Sequence, residues 1–389
     1  MNVPVRPDPA LSLGRRHFLR RALWLAIGPV LSRVGSTAAM TDPAFFGSTV
    51  DVRAHGAFGD GSHDDTAALQ ASVDALPAAG GTIIVPAGRY RIDAARSVRL
   101  RSHMHWRMEV GAELIAMPNR LDRSYVLLVR DVQDVEISGG RIVGERNGHL
   151  GTTGEWGHGV AILGARDVHV HDLRIDDCWG DGMAIGTIFD RGAGSGKVVA
   201  EDVTLIRVRC GGNRRQGLSI TSARRVSVID SQFIGNGGTA PGCGIDVEPG
   251  TVRMGAQDVL ISGCTVSANR GSGIQVYGLL GGVSGFRLVD NTVAGNHGFG
   301  LLLVDARDGQ VHRNTVDENG LAGLLVREGV RDSRIEHNTF SGNGTRLFRG
   351  SLQRIARALS GASAVHGDRN VQVLGEARSV VLQNNTMID

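Results

Sequence analysis

Cys243-Gly244-Ile245-Asp246-Val247 and, one repeat later, Ser272-Gly273-Ile274-Gln275-Val276 share a pattern: a glycine with aliphatic residues one and three places after it. The same pattern stands in His158-Gly159-Val160-Ala161-Ile162, Asp181-Gly182-Met183-Ala184-Ile185 and Gln216-Gly217-Leu218-Ser219-Ile220. It returns in Phe299-Gly300-Leu301-Leu302-Leu303 and Ala322-Gly323-Leu324-Leu325-Val326, with the glycines 23–35 residues apart. A second apolar pattern runs between them: Val203/Leu205, Val226/Val228, Val259/Ile261. Two polar columns complete the repeat, one of Cys264, Asn291, Asn314, Asn338 and Asn385, the other of Asn213, Asn236, Asn269, Asn296, Asn319 and Asn343. Three short strands and polar turns per coil predict an all-β, single-stranded right-handed parallel β-helix, its coils stacked ~4.8 Å apart. Stacked Asn amides can bond above and below, which satisfies buried turn backbone.

Composition agrees. The 389 residues include 56 glycines and only 4% aromatics, with 41% hydrophobic residues, so the core must be aliphatic. The glycines keep no three-residue period, which excludes collagen. A leucine-rich repeat would need an L-x-x-L-x-L frame, and a propeller needs longer blades. The net charge of +3 leaves no footprint for nucleic acid. Lys197, the one lysine, falls in a Gly-rich stretch expected to face solvent. Cys178, Cys210, Cys243 and Cys264 lack C-x-x-C spacing and occupy different columns, so neither stacked disulfides nor a zinc site are expected, and no cofactor is assigned.

At the N-terminus, Gly14-Arg15-Arg16-His17-Phe18-Leu19-Arg20 precedes an apolar stretch from Ala22 to Val34 and the small residues Ser36-Thr37-Ala38-Ala39. This resembles a twin-arginine export signal, residues 1–39, read by the twin-arginine translocon. The stretch is shorter than the ~20 residues a spanning helix needs and contains Gly28 and Pro29. The expectation is a periplasmic or secreted protein without stable membrane insertion.

Ala54-His55-Gly56-Ala57-Phe58-Gly59-Asp60-Gly61-Ser62-His63-Asp64-Asp65-Thr66, then Gly80-Gly81-Thr82-Ile83-Ile84-Val85-Pro86-Ala87-Gly88-Arg89-Tyr90, resembles the opening module of pectate-lyase-superfamily β-helix proteins. That group includes relatives of rhamnogalacturonases and family-28 glycoside hydrolases. The resemblance implies the fold and a polysaccharide context, but no particular reaction. The expected organisation is one β-helix over residues 40–389: the opening module at about 48–120, repeat coils at about 121–343, a helical insertion at about 345–360 and a last coil at 370–389. Thr66 to Leu76 reads as a helix capping the open end, with Asp64 and Asp65 at its start. The far end shows no cap.

Period-two alternation turns the aliphatic positions inward and places −1, +2 and +4, counted from the glycine, outward. At +2 stand Ala161, Ala184, Ser219, Asp246, Gln275, Leu302 and Leu325; at +4, Leu163, Gly186, Thr221, Glu248, Tyr277, Val304 and Arg327. Polar groups thus concentrate in the central coils. Outward residues are ordinarily solvated, but simple solvation does not explain acids here and Ala or Leu in the same columns nearby. Asp246 and Glu248 share a face ~6.8 Å apart along the strand, with Asp181 two rungs away. These three are the candidate catalytic acids. Ser219, Thr221, Gln275, Tyr277, Arg214, Arg215, Gln216 and His158 are candidates for substrate binding. Asp176 and Asp177 read as turn residues.

Two carboxyls ~6.5–9.5 Å apart suit an inverting glycoside hydrolase, the first reading. A uronate lyase or epimerase would instead use Arg214 or Arg215 with Tyr277, or acids holding Ca²⁺, on an acidic polysaccharide. A non-catalytic carbohydrate-binding or adhesion β-helix is the alternative from another class. Family-28 polygalacturonases carry Asn-Thr-Asp, paired Asp, Gly-His-Gly and Arg-Ile-Lys in succession. Here only Trp179-Gly180-Asp181-Gly182 is similar to the first of these, Gly157-His158-Gly159 comes too early and Arg-Ile-Lys is absent, so that mechanism is not carried over.

Overall fold

The computed structural model describes residues 47–188, 198–250, 254–345, 364–367, 369–374 and 378–388. The proposed signal, Lys197 and residues 346–360 of the expected helical insertion lie outside them. The chain winds as a right-handed parallel β-helix with three sheets of 14, 12 and 11 strands among the described residues. The glycine-led repeats form the third sheet, in which Met183–Gly186, Leu218–Ile220, Ile245–Val247, Ile274–Tyr277, Leu301–Val304 and Leu324–Val326 stack in parallel. The inward residues Leu218, Ile220, Ile245, Val247, Ile274 and Val276 are all fully buried, as the alternation predicts.

Both Asn columns form continuous ladders. Asn213, Asn236, Asn269, Asn296 and Asn319 each donate Nδ2 to the next amide's Oδ1 at 2.8–2.9 Å, and the same oxygen accepts the backbone N–H. Their start is Cys178, whose N–H donates to Asn213, while Cys264 stands likewise at the head of the Asn291 ladder. All four cysteines are buried free thiols. The ladder also explains the repeat glycine. A Cβ on Gly244 would lie 2.3 Å from Val266 Cγ1 and 2.7 Å from Asn269 Nδ2; on Gly273 it would lie 2.8 Å from Asn296 Nδ2. The space beside each ladder amide admits only hydrogen. In the last coil the corresponding place holds Asn370, whose carbonyl accepts from Leu324 and whose Oδ1 accepts from Asn343 at 3.0 Å. The sequence pattern ended at Asn343 and missed this residue.

Helix α1 (Thr66–Asp74) closes the opening end, slightly shorter than expected. Asp64 accepts the Thr66 N–H at 3.0 Å, whereas Asp65 turns back to hold the Phe58 and Gly59 amides at 2.6 and 3.2 Å. Leu69 and Val73 enter the core, and Gln70 clamps both the N–H and the carbonyl of Arg99, on the outermost strand of the third sheet. At the far end the structure corrects the expectation of no cap. Strand Ala364–Gly367 runs antiparallel along Val371–Leu374 and covers that edge of the third sheet. The other two sheets end with Leu382 and Met387 exposed. Among the described residues, no helix is long and apolar enough to cross a membrane.

Candidate functional site

In the third sheet Ser219, Asp246 and Gln275 are direct register partners on successive rungs. They face away from the aliphatic core, yet Asp246 is only 2% exposed and Asp181 1%. His158, Gln216, Ser219 and Gln275 are buried as well. They take the outward side as expected but are not exposed there: alternation decides which side of the strand a residue takes, not what lies above it.

The buried groups form one network. Asp181 accepts from the Ser219 hydroxyl at 2.7 Å, from the Gln216 N–H at 3.1 Å and from Arg215 Nη1 at 3.1 Å. Gln216 then reaches across the next rung, donating Nε2 to Asp246 Oδ2 at 2.8 Å. The two-rung gap between Asp181 and Asp246 is thus bridged by one residue. Gln275 donates Nε2 to the other Asp246 oxygen at 3.1 Å. Gln216 Oε1 is buried without a hydrogen-bond partner.

Burial, reinforced by the nearby Glu248 charge, pushes the Asp246 carboxyl up from 3.8 to about 7. The Gln216 bond and the Arg215 charge oppose that rise only in part. Glu248, two residues on, is half-buried, as is Tyr277 on the adjacent rung. A carboxyl that keeps its proton near neutral pH beside a second acid is the arrangement acid–base chemistry requires.

His158 belongs to the same network. Its Nδ1 accepts the Asp181 N–H at 3.1 Å, and its ring stacks on Tyr125 at 5.7 Å. Burial lowers its pKa from 6.5 to about 4, against the opposing pull of Asp181. Between those values the unfolded chain binds a proton that the folded chain does not. The stabilisation is therefore complete above pH 6.5 and lost as pH falls towards 4, on the order of 3 kcal/mol. Asp246 has the opposite sign: its contribution is complete below 3.8 and lost as pH rises to about 7. His158→Gln should remove the rising His158 contribution, so that between pH 4.5 and 6.5 the melting temperature of the variant rises less, or falls more, with pH than that of the parent. An unchanged slope would show that His158 is not the group held neutral.

Two sequence candidates are spent elsewhere. Thr221 donates its hydroxyl to the Ile185 carbonyl at 3.2 Å. Arg214 lies over the Trp179 ring at 3.7 Å and donates to the Gly154 carbonyl at 2.8 Å. His149 stacks on Trp179 at 3.8 Å, fixing the 146–155 turn beside the network. Asp176 also departs from its reading: it ends strand Arg174–Asp176 and is held by Arg141, Arg174 and Arg209, whereas Asp177 takes the positive φ of a turn. Glu155, an ion-pair partner of Arg215 at 3.2 Å, escaped sequence reading. Its only signal was its place three residues before His158.

The sequence family described as "Right handed beta helix region" matches residues 241–387. Among curated proteins, the uncharacterized protein YclG of Bacillus subtilis is 29% identical over 213 residues, 49% of this chain and 36% of YclG. Mannuronan C5-epimerase AlgE2 of Azotobacter vinelandii is 36% identical over 95 residues, 23% of this chain and 10% of that enzyme. The chain thus spans little more than a third of the length of YclG and a tenth of AlgE2. Among solved structures, the A-module of A. vinelandii mannuronan C-5 epimerase AlgE4 has a TM-score of 0.59 at 18% identity, covering 88% of this chain and 96% of the module. PfbA, a surface adhesin of Streptococcus pneumoniae, has a TM-score of 0.55 at 16% identity, covering 88% and 92%. What these establish is the fold.

Proposed function

We propose that the chain is an exported, carbohydrate-active enzyme in which Asp246 and Glu248 divide acid and base work on a polysaccharide lying across the third sheet. The observation that carries this is the Asp246 carboxyl, raised to about 7 and held by two amides, next to a half-buried second acid. Burial is what keeps that proton: a solvated Asp would be ionised near neutral pH. Access runs along the +4 column, where Glu248 and Tyr277 stay half-buried. Hydrolysis of a glycosidic bond is the first reading, with Asp246 as acid and Glu248 as base. The likeness to proteins named mannuronan C5-epimerases favours a second, proton abstraction at C5 of a uronate. A Ca²⁺ requirement belongs to the lyase form of that reading.

Incubation with a panel of neutral and uronate polysaccharides tests the proposal. New reducing ends alone mean hydrolysis, ultraviolet absorbance of an unsaturated uronate means a lyase, and solvent deuterium at C5 without cleavage means an epimerase. Retention on a polysaccharide column with none of these would replace the enzyme by a binding module. Export has its own test. The double replacement Arg15→Lys with Arg16→Lys should leave uncleaved precursor in the cytoplasm, because the translocon reads the arginine pair. Normal export of that variant would remove the twin-arginine assignment.

A further inference from the structure

Where the first sheet turns into the second, three side chains meet that play no part in the site above. His312 ends strand Gln310–His312, and Glu336, ending Arg331–Glu336, is its register partner on the next rung. His337 follows at φ 58°, a left-handed step that breaks the alternation and brings its ring beside the same pair. One ligand atom from each residue lies within 4.8 Å of the other two. The two imidazoles meet edge to face, with centroids 5.0 Å apart.

We propose that His312, Glu336 and His337 bind a divalent transition-metal ion of the zinc type. Two imidazoles and one carboxylate are ligands of matching hardness, and a tetrahedral ion holds such atoms ~3.3 Å apart. Side-chain rotation suffices to close the spacing, because His312 and Glu336 are only half-buried and His337 is exposed. Groups from the following coil already orient the ligands, as outer partners do in metal sites. Gln383 donates to Glu336 Oε1 at 2.7 Å, and Asn384 Nδ2 stands 3.5 Å from His337 Nε2. The competing cation is Arg334, 3.5 Å from Glu336, whose side chain is 69% exposed and can swing into solvent. Arg313, the neighbouring cation, is already committed to Asp290 at 2.6 Å. The bound ion ties two coils directly, and a third through Gln383, independently of any catalysis on the third sheet.

The full chain, stripped of metal with chelator and titrated with ZnCl₂ in a calorimeter, should take up zinc at this site and melt at a higher temperature when loaded. His312→Gln and His337→Gln should each weaken uptake by about tenfold or more and abolish the rise in melting. Without zinc, both variants should melt as the parent does, which separates lost ligation from misfolding. Co²⁺ in place of zinc should give a visible ligand-field band in the parent that is missing from His312→Gln. Equal uptake and equal zinc-induced stabilisation in parent and variants would overturn the site, as would a parent that binds no zinc.

Discussion

Asp246→Asn should lower turnover by a factor of about 10²–10⁴ while leaving the protein at least as stable at pH 8. The loss follows from removing a carboxyl whose proton persists near neutral pH. The stability follows from linkage. Above pH 7 the folded protein carries a buried, ionised Asp246 that the unfolded chain would hold in water at no such cost, a penalty on the order of 4 kcal/mol. Asparagine removes it. Gln275 can still donate to the Asn oxygen, and Gln216, by turning its amide, can present the now unpartnered Oε1 to the Asn NH₂. Across pH 4 to 6.5 the variant's stability should rise more steeply with pH than the parent's, because the opposing Asp246 slope is gone. Asp305→Asn, on a turn outside the network, should change neither quantity. Full turnover in Asp246→Asn on the substrate found by screening would move the chemistry to another face.

The second large effect belongs to the ladder. Asn296→Leu should destabilise the fold by about 3–5 kcal/mol, read as a shift in denaturant midpoint. Leucine is close in size but breaks four buried hydrogen bonds. The Asn269 N–H and Nδ2 lose the oxygen they share, the Val266 carbonyl loses its donor at 3.0 Å, and Asn319 Oδ1 loses one of its two donors. Ser219→Ala, which removes one of several bonds to Asp181, should cost much less. Comparable midpoints for the two variants would mean that the ladder contributes no more than an ordinary hydrogen bond.

The coil was legible because each coil repeats the same constraints. Gly244 and Gly273 recur for lack of space, Ile245 and Val247 for the core, and Asn269 and Asn296 for backbone satisfaction, so three columns report one geometry. The site was legible only as a set of columns. Asp246, Ser219 and Gln275 fell on the expected face, but their burial depends on what covers that face, which strand periodicity does not encode. Adjacent Arg214 and Arg215 are equivalent in sequence. The turn sends one to Trp179 and the other to Asp181, a choice fixed by backbone direction and the aromatic sandwich. The His312 cluster was invisible for a related reason: a left-handed residue at a strand end breaks the period on which the columns were built.

Asn370 occupies the place that Gly323 and the repeat glycines before it hold, and among the described residues no ladder amide lies beyond it. A further coil of the same kind would have to set an amide where the Asn370 side chain already stands, and Ala364–Gly367 reverses strand direction along the same edge. At the opposite end, Gln70 occupies the backbone groups of Arg99. Stacked parallel strands are otherwise a template for endless polymerisation. Among the described residues, Gln70 at one end and the antiparallel strand Ala364–Gly367 at the other interrupt the parallel stack, so a sheet built on a fibre's repeat carries its own stops.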